Sequence, residues 1–379
     1  MRTIDTIVVG GGLVGSAIAW GLRNAGEKEV AILDENDNAF RASRGNFGLV
    51  WVQGKGFNLA EYAEWSLLSA QAWRQLAEDL HKESGVDVVL EQKGGLSLAL
   101  SKEDLEQKVN TLTWLQQQVG SHYQFEVLDH QQLKELVPTI GETIPGATFT
   151  KMDGHVNPLK LLLAYHRALM TRNVKINSNV RVHKIEKKAG IFHLETSQGD
   201  FTAKKVVLAA GLANKELAAQ VGINAPVQPN RGQVLITERL PPLLSLPSNY
   251  VRQTDEGTIQ LGDSLEDVGY NDWTKTSVLE GIAQRAIRCF PILKNKRIVR
   301  SWAALRVMSP DGFPIYDESK TMSGAYVVTC HSGVTLAANH AYLIAPWIAG
   351  GEKPLQIAKF SSDRFTPNHS IDVEIKNAG

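Results

Sequence analysis

Residues 6–20 read TIVVGGGLVGSAIAW. A β-rich run from Ile4 to Val9 leads in, Gly10, Gly12 and Gly15 spell G-x-G-x-x-G, and Leu13 to Ala25 reads as a helix. Glycines at these positions permit a tight turn, close approach of a pyrophosphate to backbone N–H groups, and close strand–helix packing. The helix N-terminus favours the phosphate charge. A second apolar run, VAIL, ends at Asp34, about 20 residues past the fingerprint, where an acid can accept a hydrogen bond from a ribose hydroxyl. Glu35 competes for that role, but Asp34 directly follows the strand and is preferred. The rival reading is a glycine turn with no ligand; the strand before, the helix after and the acid at its distance favour dinucleotide binding. FAD and NAD share an adenosine diphosphate half, so this unit alone leaves both open.

The chain of 379 residues balances 40 Lys+Arg against 40 Asp+Glu and is 43% hydrophobic, a globular composition long enough for about two domains. Without a long basic stretch, pairs such as Lys187-Lys188 and Lys204-Lys205 read as solvated faces, and nucleic acid is set aside as a partner. Cys289 and Cys330 form no CxxC pair and have no His cluster nearby, which argues against a disulfide framework, zinc or an iron–sulfur centre and fits a reducing cytoplasm. Three glycines interrupt the apolar start, and Asp5 stands where a signal peptide needs a basic flank. No other segment approaches about 18 apolar residues, so no membrane span is expected.

Further along, Asn58 with Glu61 resembles a capping box, opening a helix with a stripe of Leu59, Tyr62, Ser66, Trp73, Leu76 and Leu80. GGLSLAL (94–100) reads as a strand, 102–119 as a helix, and 130–137 as a short helix ended by Pro138. Short alternating runs from 174 to 211 predict a β-meander that returns to a parallel sheet through VVLAAG. Strands resume from Val234 to Gly262, residues 274–290 predict a helix, and 298–308 a strand. A last strand, AYVVTC, turns at HSG into a helix from Val334 to about Ile348, closed by Gly350-Gly351. A first βαβ unit, later β-rich insertions and a final strand–turn–helix imply two interleaved domains in an α/β fold.

One residue stands against its surroundings. In SWAALRVMSPDGFP (301–314), Arg306 interrupts an apolar strand and shares a face with Trp302, Ala304 and Met308. A buried guanidinium needs an anion. That anion is either a carboxylate of the chain, with Asp311 the nearby candidate, or a ligand. Asp311 sits in Pro-Asp-Gly, where an Asp usually binds its own turn backbone.

Six motifs in order, VVGGGLVGSAIAW, ASRGNFG, MDGHVNP, VVLAAGLAN, WAALRVMSPDGFP and CHSGVTLAANH, resemble the D-amino-acid oxidase-like family of FAD-dependent amine and amino-acid oxidoreductases. RGNFGLVWVQGKG is most similar to the catalytic beta subunits of opine oxidase, D-hydroxyproline dehydrogenase and hydrogen cyanide synthase. The resemblance spans about residues 3–350. It implies a Rossmann-type FAD-binding domain (1–86, 146–228, 301–365) interleaved with a mainly antiparallel β-sheet substrate domain (87–145, 229–300), and a tail over 366–379.

It also implies non-covalent FAD, since Ala304 stands near where covalent relatives carry a Cys. Gly10, Gly12, Leu13, Val14, Gly15, Asp34 and Glu35 would serve the adenosine diphosphate half, and Ser43, Arg44 and Gly48 would wrap the pyrophosphate and flavin. Val180 would face the adenine, and Ala210-Gly211 would form a second cofactor turn. Gly333, Val334 and Thr335 would present N–H groups to the flavin N1/O2 edge, where reduction builds negative charge. Arg306 would bind the substrate carboxylate and Tyr250 its carboxylate or amine. His331 stands at the mouth of the turn as an acid–base candidate, a backbone-bonded histidine being the commoner case. The role of Gln53 and Lys55 in the apolar run from 49 onward is open.

The activity implied is hydride transfer from the α-carbon of a D- or N-substituted amino acid, an opine or D-hydroxyproline to flavin N5, giving an imine that water hydrolyses. The rivals are an electron-transfer FAD subunit with no substrate site of its own, and a pyridine-nucleotide enzyme. Heteromeric flavin or iron–sulfur subunits are the expected protein partners. The expected location is cytoplasmic, with attachment to the inner membrane surface left open.

Overall fold

The computed structural model describes residues 3–35 and 42–366; the expected tail, apart from Thr366, lies outside the described residues. The strands Ala325–Thr329, Phe201–Leu208, Ile4–Val9, Val30–Asp34 and Lys175–Ser178 lie side by side in that order, all parallel. Ile315–Glu318 adds an antiparallel edge. The predicted meander is present: Val182–Lys188 and Ile191–Thr196 pair antiparallel and run onto the start of Phe201–Leu208.

Buried hydrophobic clusters cover both faces of this sheet. The larger holds the helix Leu13–Asn24, the 25-residue helix Ala60–Ser84 and the helix Pro158–Thr171. The last of these was not read from the sequence, although Asn157 caps it through Leu159 and Lys160 N–H groups and Pro158 opens it, a standard start signal. Asn58 does not cap the preceding helix. It takes a left-handed φ of 67°, and Leu59 is the residue before the helix, with no side-chain cap bond.

A second sheet, wholly antiparallel, runs Val251–Gln253, Thr258–Leu261, Gln228–Arg239, Ile298–Met308. Beside it, Gly95–Leu98, Gly146–Thr150 and Glu126–Asp129 form a three-stranded sheet, joined through Leu96 N–H to the Pro247 carbonyl. Leu96, Leu235, Val251, Ile259 and Leu261 share a core with the helix Thr276–Cys289. Two details depart from the sequence-based boundaries. The strand Ile298–Met308 stays paired with Gln228–Arg239 as far as Met308, so the antiparallel sheet continues through the join expected at 300/301. The helix Lys102–Val119 buries Leu112, Leu115 and Val119 in the same cluster as Ala60–Ser84.

The first βαβ unit owes its shape to contacts that exclude side chains. A Cβ on Gly15 would stand 1.9 Å from the Gly10 carbonyl oxygen, and one on Gly10, at φ +107°, would stand 2.4 Å from the Ala209 oxygen. Gly15→Ala is expected to lower stability by about 1–3 kcal/mol through overpacking and to yield protein without yellow cofactor; denaturant unfolding and the absorption spectrum of the purified variant test this.

Candidate active site

Parallel pairing brings four turns to one edge of the main sheet. Val9 lies level with Leu33 and Leu208, and Leu208 with Val327, so Gly10, Asp34, Ala209–Gly211 and His331 all follow the carboxyl ends of neighbouring strands. That edge is where open α/β sheets bind ligands. The Gly11 N–H donates to Asp34 Oδ2 at 2.7 Å, and the Asp34 carbonyl accepts from Val180 N at 2.9 Å. Asp34 and Val180 thus lie side by side. Glu35 instead points outward, exposed, 3.5 Å from Arg181 Nη1.

Ser43 reaches the start of the first helix: its Oγ accepts from Leu13 N at 3.0 Å, and a Cβ on Gly12 would fall 2.7 Å from it. Val14 lies under Gly333, where a Cβ would stand 3.5 Å from Val14 Cγ2, so the first and last turns adjoin. Ala210 N donates to Asn214 Oδ1 at 2.9 Å, and Gly211 takes φ +61°. Arg44 is half-buried in the same loop as Gly48, which is buried at φ +85° and held through its N–H by Asn46 Oδ1. This edge, where Gly10, Gly12 and Gly15 leave the backbone bare of side chains at the start of the first helix, fits a dinucleotide.

The last turn is pinned from two sides. Trp51 N donates to Thr335 Oγ1 at 3.1 Å, while Trp73 Nε1 donates to the Val334 and Thr335 carbonyls at 3.0 and 3.2 Å. Helical structure begins at Ala337, not Val334, and passes through a π-turn over His340–Ile344. The N–H groups of Gly333, Val334 and Thr335 therefore precede the helix, and among the described residues they have no hydrogen-bond acceptor. Unmatched donors of this kind suit a partner that carries negative charge.

Facing this turn is the antiparallel sheet. Trp302 Nε1 donates to the Gly45 carbonyl at 3.3 Å, and Phe47 lies over Gly262. Gly232, Gly262 and Ala304 keep the face low. Arg306 lies flat on Gly232, where a Cβ would come within 2.4–2.6 Å of its guanidinium. Its anion is Asp263, which accepts from Nη2; Nη1 donates to Ser264 O at 2.9 Å and Asn230 Oδ1 at 3.2 Å. Asp311 is not the partner: it holds Arg364 Nε at 2.6 Å and accepts from Phe313 N in its own turn. Asp263 was missed from sequence because it pairs across the sheet, 43 residues away.

Tyr250 does not join this group. Its ring packs against the Arg285 guanidinium, 4.5 Å from the ring centroid, and against the core shared with the helix Thr276–Cys289. His331 does join it. More than a third of its surface is open, and the packed surroundings together with the charges of Lys55 and Arg306 hold its imidazole below the ordinary range. Ser332 Oγ accepts from Lys55 Nζ and from Tyr62 O–H at 3.0 Å, and lies 3.4 Å from His331 Nδ1. Burial brings the Lys55 ammonium down to about 8, opposed by Cys330 and Asp153.

Gln53, left open by the sequence, is a strut. Its amide donates to Gly95 O and Asp153 Oδ2 and accepts from Thr148 Oγ1 at 2.6 Å. Cys289 lies in the second core and Cys330 beside His340, neither of them on the strand that carries Ala304.

A dinucleotide edge closed by a second sheet that bears an arginine defines a two-domain, nucleotide-cofactor oxidoreductase. The chain belongs to the DAO family of FAD dependent oxidoreductases, which it matches over residues 5–347, and FAD is its cofactor. It is 42% identical to an opine oxidase subunit of Agrobacterium tumefaciens over 98% of this chain and all of that one. Hydrogen cyanide synthase subunit HcnC of Pseudomonas protegens is 27% identical over 96% of this chain and 97% of its own length. The crystal structure of glycine oxidase from Geobacillus kaustophilus superposes with a TM-score of 0.88 at 24% identity, covering 97% of this chain and 100% of that one. No helix among the described residues is long and apolar enough to cross a membrane.

A half-buried acid, Glu266, and a buried one, Asp153, generate predictions. Glu266 meets Arg231 Nη2 at 2.7 Å, while Arg231 Nη1 holds Asn271 and the Trp273 carbonyl, fastening the segment that carries Asp263. Burial would raise the Glu266 carboxyl, but bonds from Arg231, Gln233 and Ser264 outweigh it and bring it down to about 2. Glu266→Ala leaves the Arg231 charge buried and is expected to cost about 3–5 kcal/mol in denaturant unfolding. For Asp153, burial wins over the Val52 and Gln53 donors and raises the carboxyl to about 7. Its native state therefore binds the proton more tightly than the unfolded chain does. The contribution to stability is complete below about pH 4 and is lost as pH rises through 7. Asp153→Asn should flatten that part of the stability–pH curve.

Proposed function

We propose that the chain oxidises the C–N bond of an amino acid or secondary amine that bears a carboxylate next to the reacting carbon. The observation that carries this reading is Arg306, whose charge reaches His331 at the mouth of the last turn, with Asn230, Ser264 and Asp263 fixing its plane. Among the described residues the Nε hydrogen and one Nη2 hydrogen of Arg306 have no acceptor, an arrangement suited to a carboxylate. When bound, FAD supplies a two-electron acceptor that takes a hydride from the carbon bearing nitrogen, leaving an imine for water to hydrolyse.

The chain orients and shields. Arg306 holds the carboxylate, so the adjacent carbon has a defined position. The N–H groups of Gly333, Val334 and Thr335 would compensate negative charge on the cofactor. His331, its pKa lowered, stays neutral near pH 7. Ser332 accepts from Lys55 and Tyr62, so its own hydrogen is left for His331 Nδ1, which places the imidazole proton on Nε2. Gly10, Gly12, Gly15 and Asp34 would hold the adenosine diphosphate half, with Ser43, Arg44, Gly48, Val180, Ala210 and Gly211 around it, bound without a covalent link.

Within this class we favour an opine-type secondary amine. The 42% identity to the Agrobacterium opine oxidase subunit over nearly the whole chain supports it. Work as one subunit of a heteromeric enzyme, with a flavin or iron–sulfur partner receiving the electrons, draws on the same likeness and on that to the hydrogen cyanide synthase subunit. We place the assembly in the cytoplasm.

Asp263 favours a second reading, in which Arg306 is a structural ion pair and the chain carries FAD only for electron transfer. An anaerobic panel of opines, D-amino acids, N-methyl amino acids and D-hydroxyproline decides. Bleaching of the bound FAD by one of these, abolished in Arg306→Leu with FAD retained, is the expected result; normal bleaching in the variant removes Arg306 from the site.

A further inference from the structure

The Arg306–Asp263 pair has a consequence for which ligands it can accept. The guanidinium is 16% exposed and the carboxylate 44%, so both reach the open side of the sheet face. Arg306 cannot swing away: it rests on Gly232, and both Nη1 hydrogens are committed to Asn230 and Ser264. The Asp263 backbone is fixed too, and its carboxylate is bonded to Arg306 Nη2. Its carbonyl accepts from Arg285 Nη2 at 2.6 Å, and the next residues are fastened by Ser264 Oγ to Glu266 Oε1 at 2.7 Å and by Glu266 to Arg231. A carboxylate that docks on the remaining Arg306 donors must then lie beside the Asp263 carboxylate, which accepts from the same Nη2.

Two adjacent anions sharing one cation repel, and the first already neutralises it. A ligand that carries only a carboxylate meets this penalty in full. A ligand with an N–H one carbon away from its carboxylate does not, because the nitrogen can donate to Asp263 while the carboxylate accepts from Arg306. We propose that Asp263 is a specificity-determining residue: with Arg306 it forms a mixed-charge clamp that reads a carboxylate and the neighbouring amino nitrogen together and rejects carboxylates without nitrogen. This rests on the amine-oxidation reading above, since it assigns the nitrogen-binding partner at the same site.

The test uses the FAD-loaded protein with Asp263→Asn and Asp263→Ser. Acetate and propionate serve as carboxylates without a neighbouring donor, their dissociation constants read from perturbation of the flavin absorption bands. The amine arm uses the compound of the panel above that bleaches wild type fastest, its apparent constant taken from the concentration dependence of anaerobic bleaching. In both variants acetate and propionate should bind about tenfold more tightly and the amine about tenfold more weakly, each near 1.4 kcal/mol. If both ligand classes weaken together, Asp263 merely holds Arg306 in place and the clamp is wrong; if neither changes, Asp263 does not face the ligand, and the clamp is again wrong. Failure of the broader reading looks different: no amine of the panel bleaches wild type, whatever the variants do with acetate.

Discussion

The cofactor edge is built on one close approach. The first helix crosses the first strand so tightly that no side chain fits at Gly15, where a Cβ would stand 1.9 Å from the Gly10 oxygen. This lays Leu13–Asn24 along the sheet with its N-terminus at the carboxyl edge. Parallel pairing in register then delivers Asp34, the Ala209–Gly211 turn and His331 to the same edge. A cofactor site made of backbone can be this compact because hydrogen-bond donors approach a phosphate or a flavin edge most closely where no Cβ intervenes.

The second sheet obeys the opposite demand, since it must carry charge on a packed face. Small residues at Gly232, Gly262 and Ala304 let the loop through Gly45 and Phe47 close over it. Arg306 and Asp263 neutralise one another where that cover ends. The neighbouring Arg231–Glu266 pair, side chains only 6% and 15% exposed, is buried deeper and does mechanical work, holding the segment on which Asp263 rides. Two ion pairs on adjacent strands thus divide support from recognition.

Much of this was legible in advance. G-x-G-x-x-G followed by a helix, and Asp34 after an apolar run, are local patterns with one geometric solution, and the helix 102–119 and the strand 298–308 fall where periodicity places them. The errors share a cause, which is that backbone geometry and distant neighbours override a local pattern. Asn58 sits in a position that capping chemistry favours, yet its left-handed backbone puts the helix start one residue further on. The last helix starts three residues late because Trp51 and Trp73 hold the turn at Val334 and Thr335 from distant segments. Tyr250 sits in a bend just before the strand Val251–Gln253, and Arg285 draws its ring toward the helix Thr276–Cys289.

The sequence by itself determined the nucleotide-binding unit, the family and the presence of an arginine that needs an anion, because each of these is written in residues close together along the chain. Which anion, only the tertiary structure decided. Asp311 lies five residues from Arg306 and turns to Arg364, whereas Asp263 lies 43 residues away and arrives from beyond the intervening strand Gln228–Arg239. Ion-pair choice in a sheet depends on register and on which neighbours leave room, and glycine at 232 is what lets the guanidinium lie flat enough to reach that partner.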